Sequence, residues 1–265
     1  MEQAREINEE LDDKPGLIFI LRQLGNAFFG SDKFEDAIAY HEQSISLARE
    51  IEDLTSAGYG LNSLALTYHF LQEYDEAIAY YQEALEIAVA ADDSLGEAMT
   101  TSNIGWVNVE MGDFEGAKQK AETALKITIE AGSRSLAASN WALLARISVE
   151  TGQYSSSPKY IYNSITLNRE LNDESGMVYD ILLFSWREGI VGDLGRSFGW
   201  LGMVRTHRSY SRAYLKRFVD RVQTQIRADL SDDEIESLMI QGTELKLKDV
   251  VEEIIIEIGE LKEDN

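Results

Sequence analysis

Apolar residues along most of the chain recur at intervals of three and four, the spacing that places side chains on one face of an α-helix. The spacing is clear in Ala57–Leu71, Tyr74–Ala91 and Ala98–Met111, and no stretch alternates apolar and polar residues as a half-buried strand does. The two prolines, Pro15 and Pro158, both fall near predicted helix starts, where proline is tolerated. The pattern therefore predicts an all-α protein.

The helical pattern repeats at a fixed interval along the chain. A large apolar residue occupies the same register five times, at Phe34, Tyr74, Phe114, Tyr154 and Leu194. A small residue follows three positions later each time, at Ala37, Ala77, Ala117, Ser157 and Ser197. Small side chains allow two helices to approach closely, because a larger side chain would overpack the crossing. Each unit is therefore predicted to be a helix pair that buries its faces by stacking on neighbouring pairs.

A short break separates the two helices of a pair, as at Gly112-Asp113, Gly152-Gln153 and Gly192-Asp193. Glycine adopts the left-handed conformation that ends a helix. Aspartate accepts hydrogen bonds from the first amides of the next helix. The breaks therefore predict tight turns between consecutive helices.

The repeat divides the chain into three predicted parts. These are a partial helix of an incomplete leading repeat (1–16), five helix pairs of equal length (17–207) and a helical C-terminal tail (208–265). In the tail, Ser231 and Glu234 have the spacing of a capping box. The helix that they begin is expected to end near Gly242, and Leu247–Leu261 is expected to form another.

The combination of Leu24-Gly25 with Phe34, and of Leu64-Ala65 with Tyr74, resembles the tetratricopeptide repeat. The usual repeat has about 34 residues, and the present one is longer, at about 40 residues. This longer form is similar to the C-terminal arrays of bacterial signalling ATPases and of maltose-activator-like and LuxR-type regulators. The resemblance implies a right-handed α-α superhelix in which the first helices of the pairs line a concave groove for a protein or peptide.

The resemblance also indicates which residues line the groove. In related arrays asparagine side chains hold peptide backbone groups, and Asn103 beside Ile104-Gly105 matches that pattern. Helical phase adds further positions, so that the predicted lining is Arg22, Asn26, Tyr59, Asn62, Ser63, Ser102, Asn103 and Trp106. Arg22 and Asn26 lie four residues apart and are suited to bind a carboxylate. The alternative is that these are solvated residues without a ligand.

The charge of the chain is unevenly distributed. The total is −23, yet residues 196–227 contain eight basic residues and one acidic residue. The candidate basic patch consists of Arg205, Arg208, Arg212, Lys216, Arg217 and Arg221. It is interpreted as an intramolecular partner for acidic helices, as a surface for an acidic protein, or as a nucleic-acid contact. The overall negative charge disfavours nucleic acid and anionic membranes.

The sequence lacks the motifs of common catalytic and metal sites. It has no cysteine, and His41, His69 and His207 are far apart without a metal-ligand spacing. It also has no Gly-x-Ser-x-Gly motif and no phosphate-binding loop. We therefore expect no enzyme activity, no metal and no cofactor. No apolar run is long enough to span a membrane and the N-terminus lacks a secretory signal, which favours a cytoplasmic protein.

These observations predict a non-catalytic scaffold that binds a protein or peptide, as the regulatory or partner-sensing part of a signalling or transcription-regulator system. The alternative is a regulator that contacts nucleic acid through residues 196–227. The chain begins in the middle of a repeat, since Gly16, Gly96 and Gly176 occupy the same register. Self-association through an uncapped N-terminal repeat face is therefore a further hypothesis.

Overall fold

The computed structural model describes residues 13–227 and 230–263. This part of the chain contains 13 α-helices and one 3₁₀ turn, with no strand. It divides into two compact units, unit 1 up to Ala131 and unit 2 from Gly132 onward. Residues 1–12 of the predicted leading helix, which contribute to the hypothetical self-association face, lie outside the described residues.

Unit 1 contains six helices, each packed against the next. They are α1 (Lys14–Phe29), α2 (Phe34–Glu50), α3 (Leu54–Phe70), α4 (Tyr74–Ala90), α5 (Ser94–Glu110) and α6 (Phe114–Glu130). The first helices of the pairs, α1, α3 and α5, also contact one another in sequence order. The small residues of the repeat explain this close packing, since Ala37, Ala77 and Ala117 are all fully buried.

Unit 2 contains two further helix pairs and the tail. The pairs are α7 (Arg134–Glu150) with α8 (Ser157–Leu171), and α9 (Glu174–Val191) with α10 (Leu194–Thr206). The tail comprises the 3₁₀ turn (Arg208–Ser211), α11 (Ala213–Ile226), α12 (Asp232–Gly242) and α13 (Leu247–Glu263). The predicted all-α class, with helix pairs stacked as in tetratricopeptide repeats and a helical tail, is confirmed.

A left-handed residue recurs at a constant spacing, once after each of the helices α1 to α9. The positive φ angles belong to Asp32, Glu52, Gln72, Asp92, Gly112, Gly132, Gly152, Asn172 and Gly192. At a typical turn the amide of Gln72 donates to the carbonyl of His69 and the amide of Glu73 donates to the carbonyl of Tyr68, both at 3.0 Å. This pairing is the Schellman motif, which satisfies carbonyls at the helix end. The predicted left-handed glycines are confirmed.

Aspartate caps begin six of the ten helices α1 to α10. The carboxylates of Asp113 and Asp193 each accept a hydrogen bond of 3.0 Å from the amide three residues ahead, as their positions predict. Asp13, Asp53, Asp93 and Asp173 make the same bond at their own helices. One turn thus closes a helix and starts the next within a few residues, which keeps the spacing of the turns constant.

The tail is attached to the second helix pair of unit 2 at a point where backbones touch. A Cβ atom added to Gly202 of α10 would overlap the carbonyl oxygen of Met239 in α12, and one added to Gly242 would overlap the carbonyl oxygen of Gly199. In the three pairs of unit 1 the register of Gly202 holds the exposed residues Glu42, Gln82 and Glu122. Glycine at this register therefore provides the space in which α12 packs.

The remaining tail features match their predictions. The hydroxyl of Ser231 accepts a 3.3 Å bond from the Glu234 amide, and the Glu234 carboxylate accepts a 2.8 Å bond from the Ser231 amide. Helix α12 ends at Gly242 as expected. The apolar face of α13, including Val250, Ile254 and Ile258, is buried, and α13 packs against α8 and α9. The side chain of Leu261 lies outside the described residues.

Candidate functional site

The first helices of unit 1 present several aromatic and polar side chains that are at least partly exposed. We define the first-helix face of unit 1 as Phe19, Arg22, Asn26, Tyr59, Asn103 and Trp106. These residues come from α1, α3 and α5, and all of them are partly or fully exposed. The repeat places them in register, because Phe19 and Tyr59 lie one full repeat apart, as do Asn62 and Ser102.

Arg22 connects α1 to α3 through aromatic rings. Its guanidinium carbon lies 5.6 Å from the ring centre of Phe19 and 5.8 Å from that of Tyr59. Burial lowers the pKa of Arg22, although a guanidinium remains charged at neutral pH. The Tyr59 hydroxyl donates a 2.7 Å hydrogen bond to Asp93, the residue that caps α5. Burial and this bond raise the pKa of Tyr59. The side chains of Arg22, Tyr59 and Asp93 therefore form a continuous line from α1 through α3 to the start of α5.

Two asparagines connect α3 to α5. The side-chain oxygen of Asn62 accepts a 3.0 Å bond from the side-chain amide of Asn103 and a 3.3 Å bond from the Thr100 hydroxyl. Asn62 is 6% exposed, whereas Asn103 is only partly buried. Asn62 therefore holds the Asn103 amide group in a fixed position at the surface of the first-helix face.

The other predicted lining residues occupy different surroundings. Asn26 is exposed and its side-chain amide donates to Gln23 at 3.2 Å within α1. Ser63 is partly buried, and its carbonyl accepts a 3.1 Å bond from Thr67. Ser102 is 2% exposed, so its side chain faces the helix packing. The assignment of these residues to a binding groove stays a prediction.

Three residues near the predicted lining were missed by sequence reasoning. Phe19 is 51% exposed on α1, and Asp93 and Thr100 bind predicted residues. The register could have identified Phe19, because it lies one repeat before Tyr59.

A small pocket lies beside Tyr59 and Asp93, lined also by Met99. Its space suits about one water molecule, so a larger ligand has to bind on the open face.

In unit 2 the corresponding face of the first helices is covered by the tail helix α11. The Phe218 ring of α11 stacks on Tyr179 with 5.5 Å between ring centres, and it meets Trp186 edge-on at 5.7 Å. The guanidinium carbon of Arg146 lies 3.9 Å from the centre of the same ring. Ile226 at the end of α11 packs against Gly189, where an added Cβ would come within 2.7 Å of it. Helix α11 is therefore integrated into the core of unit 2.

An ion-pair network accompanies these ring contacts. The Arg146 guanidinium donates to the Glu150 carboxylate at 2.6 and 2.8 Å, and both side chains are less than a tenth exposed. Arg221 of α11 donates to the other oxygen of Glu150 at 2.6 Å. Buried charges of this kind have to be paired, because burying a charged group without a partner costs several kcal/mol. Arg221 thus compensates the second oxygen of a buried carboxylate.

The candidate basic patch is divided between internal contacts and the surface. Arg208 pairs with Glu174 at 2.7 Å, and Arg205 donates to Gln223 at 2.8 Å. Arg221 pairs with Glu150. The other members, Arg212, Lys216 and Arg217, are exposed on or beside α11.

Residues 13–227 and 230–263 contain no group of three or more histidine, aspartate or glutamate side chains arranged to hold a metal ion. Among the helices of that part of the chain, none has both the length and the apolar character needed to cross a membrane.

Comparison with known proteins identifies the class. Residues 57–130 match the tetratricopeptide repeat family. This segment covers most of α3 and all of α4 to α6, which include Tyr59, Asn62 and Asn103. Residues 57–130 therefore carry tetratricopeptide repeats, as the repeat pattern predicts. Comparison with curated proteins gives no match.

Solved structures of similar fold support this class. The Rap conjugation gene regulator of plasmid pLS20, in complex with the Phr* peptide, is 14% identical over 97% of this chain and 76% of that chain, with a TM-score of 0.69. BtubC (BKLC) from P. vanneervenii is 18% identical over 86% of each chain, with a TM-score of 0.56. A signal transduction ATPase with a tetratricopeptide repeat sensor from Pyrococcus horikoshii is 16% identical over 91% of this chain and 38% of that chain, with a TM-score of 0.55. At these identities the likeness shows the fold alone.

Proposed function

We propose that the chain is a non-catalytic scaffold that binds a protein or peptide on the first-helix face of unit 1. The observation that carries the proposal is the line of half-buried aromatic and polar side chains across α1, α3 and α5. Arg22 and Tyr59 are held by ring contacts and a hydrogen bond, and Asn103 is held by Asn62. Side chains already fixed in position lose little conformational entropy when a ligand binds.

The chemistry of this face suits a polypeptide. The amide group of Asn103 offers hydrogen-bonding groups to a backbone, and the aromatic rings offer area for apolar side chains. Among the proteins of similar fold, the Rap regulator was solved in complex with a peptide, which supports a peptide ligand for this chain.

We further propose that the chain is the regulatory or partner-sensing part of a signalling or transcription-regulator system in the cytoplasm. Two of the similar structures are described as a conjugation gene regulator and as a signal transduction ATPase with a repeat sensor. The division of the chain into a leading helix, five repeat pairs and a tail is part of the same proposal. In this proposal the repeats of unit 1 bind the partner, and the tail packs against the helices of unit 2.

The test is affinity capture from native lysate with the full chain and with a variant carrying Arg22→Glu and Asn103→Ala. We expect the variant to capture at least about tenfold less of a bound protein, because a hydrogen bond to a charged group contributes about 1.5–3 kcal/mol and one to a neutral amide about 0.5–1.5 kcal/mol. Quantitative mass spectrometry of the bound proteins measures the loss.

The matched control carries Lys216→Glu and Arg217→Glu on the exposed side of α11. It should capture the same protein as the wild type. The proposal would be contradicted if capture persisted with Arg22→Glu and Asn103→Ala but was abolished by nuclease or by the control substitutions. That result would favour instead the nucleic-acid contact through residues 196–227, which should also weaken steeply with salt.

A further inference from the structure

The two units use the same register of their first helices in different ways. Tyr179 and Trp186, which hold Phe218 in unit 2, lie at the register of Tyr59 and Trp106 in unit 1. Tyr59 and Trp106 are the same residue types and are partly exposed, but they lie on two adjacent first helices, whereas Tyr179 and Trp186 both lie on α9. In unit 2 the first-helix face packs against an amphipathic helix of the chain itself. Unit 2 is therefore an internal example of a first-helix face that binds a helix.

We propose that the first-helix face of unit 1 binds an amphipathic α-helix of a partner protein, anchored by an aromatic side chain and flanked by basic residues. The inference rests on the proposed function and specifies its ligand. Helix α11 is the internal example of such a ligand: Leu215, Phe218 and Val222 form its buried face, while Lys216 and Arg217 are exposed.

The anchor is assigned from the contacts of Phe218. In unit 2 its ring lies against Tyr179 and Trp186, and the Arg146 guanidinium stacks on it at 3.9 Å. Unit 1 also places a guanidinium beside an aromatic ring, because the guanidinium carbon of Arg22 lies 5.8 Å from the ring centre of Tyr59, although Arg22 is at a different register from Arg146. A guanidinium is attracted electrostatically to the face of an aromatic ring. In this arrangement Arg22 is a stacking group for the anchor of the partner.

The basic flank is assigned from charge. Residues 1–131 contain 26 acidic and 8 basic residues, a formal charge of −18, and so account for most of the −23 of the chain. The sequence of α11 has three basic residues and one acidic residue. Glu52, Asp92 and Asp32 lie in the turns at the ends of the first helices. A basic helix is therefore attracted to unit 1, and an acidic one is repelled.

The test uses a fluorescent peptide with the sequence of residues 212–227. A lactam bridge between Lys216 and Asp220 locks it as a helix, since these residues lie four positions apart and are both exposed. Fluorescence anisotropy measures its binding to the full chain. We expect the locked peptide to bind at least tenfold more tightly than a linear version carrying Val219→Pro. We also expect Phe218→Ala in the peptide to cost at least tenfold.

Protein variants show where the peptide binds. Tyr59→Ala should weaken binding at least tenfold, whereas Tyr59→Phe, which keeps the ring and loses the bond to Asp93, should retain most of it. Gln82→Ala on the exposed side of α4 is the matched control and should have no effect. Binding that is insensitive to Tyr59→Ala would overturn the inference, because the peptide would then bind elsewhere, for example in place of α11 in unit 2.

The outcomes separate this inference from the proposed function. Equal binding of the locked and proline peptides, with loss on Tyr59→Ala, would overturn the helical ligand and keep the face as a site for extended peptides. Absence of peptide binding, with lysate capture still dependent on Arg22 and Asn103, would overturn the ligand chemistry alone. Capture that is independent of those two residues would overturn the proposed function as well.

Discussion

Replacing Gly202 with alanine is expected to lower the free energy of unfolding of unit 2 by about 3 kcal/mol or more. The new Cβ would overlap the carbonyl oxygen of Met239, and a backbone atom within a helix cannot move aside as the end of a side chain can. Helix α12 would have to separate from α10, exposing Ile235 and Met239, which are each 2% exposed. Urea unfolding followed by tryptophan fluorescence measures the loss, since Trp200 lies on α10.

Gly199 provides the matched control, three residues earlier on the same helix. No heavy atom lies within 4 Å of a Cβ built at Gly199. Gly199→Ala should therefore stabilise the helix by about 0.5–1 kcal/mol, because alanine has the higher helix propensity. Equal destabilisation by both substitutions would show that glycine flexibility, rather than the contact with α12, matters at this helix.

The Asp180→Asn substitution is expected to remove a pH dependence of several kcal/mol from the stability of unit 2. Asp180 is fully buried in α9 and accepts a 2.7 Å bond from Asn168. Burial raises the pKa of Asp180 to about 8. Between pH 4 and 8 the unfolded chain has released this proton while the folded unit retains it. The free energy of unfolding therefore falls as the pH rises, by about 1.4 kcal/mol per unit from this group.

Urea unfolding at pH 5, 6, 7 and 8 measures this slope in the wild type and the variant. Asn140 lies one repeat earlier at the same register and is also fully buried. The converse substitution can therefore be made at this position. Asn140→Asp should introduce a slope of the same sign. Parallel curves for the wild type and Asp180→Asn would refute the assignment.

Unit 1 is expected to respond to pH in the opposite direction. Burial lowers the pKa of both His41 and His69 to about 4, whereas histidine in an unfolded chain titrates near 6.5. Below pH 6.5 the unfolded chain takes up protons that the folded unit excludes, so unit 1 loses stability as the pH falls towards 4. Acid should thus unfold unit 1 under conditions in which Asp180 favours unit 2.

The repeat made much of the fold predictable from sequence. Gly112-Asp113 identifies a turn because glycine and aspartate each have a local reason to occur there. Glu52 and Gln72 take up the same left-handed conformation, although neither is glycine. Their conformation follows from the packing of the two helices that they join, and their own residue types give no signal for it. Local chemistry therefore identified some turns, while the constant spacing places all of them.

The tail could be predicted as helices but not placed. Its residues have no counterpart in the register of the repeats, so the sequence offers no basis for pairing Phe218 with Tyr179 and Trp186. Gly202 provides the space for α12, and a glycine alone does not indicate which helix approaches it. Arg22 and Asn103 were accessible to sequence reasoning because they follow the register, although the bond from Tyr59 to Asp93 depends on three-dimensional contact alone.

The regular spacing of the left-handed residues also limits how the length of such a chain can change. Removal of residues 74–113 would join Glu73 to Phe114, an aromatic residue at the same helix start as Tyr74, and would preserve every later turn. Removal of one to three residues from inside a helix would rotate the following part of that helix by about 100° per residue and turn its apolar face outward. Deletion of a whole repeat is therefore compatible with this architecture, whereas deletion of one to three residues inside a helix is not.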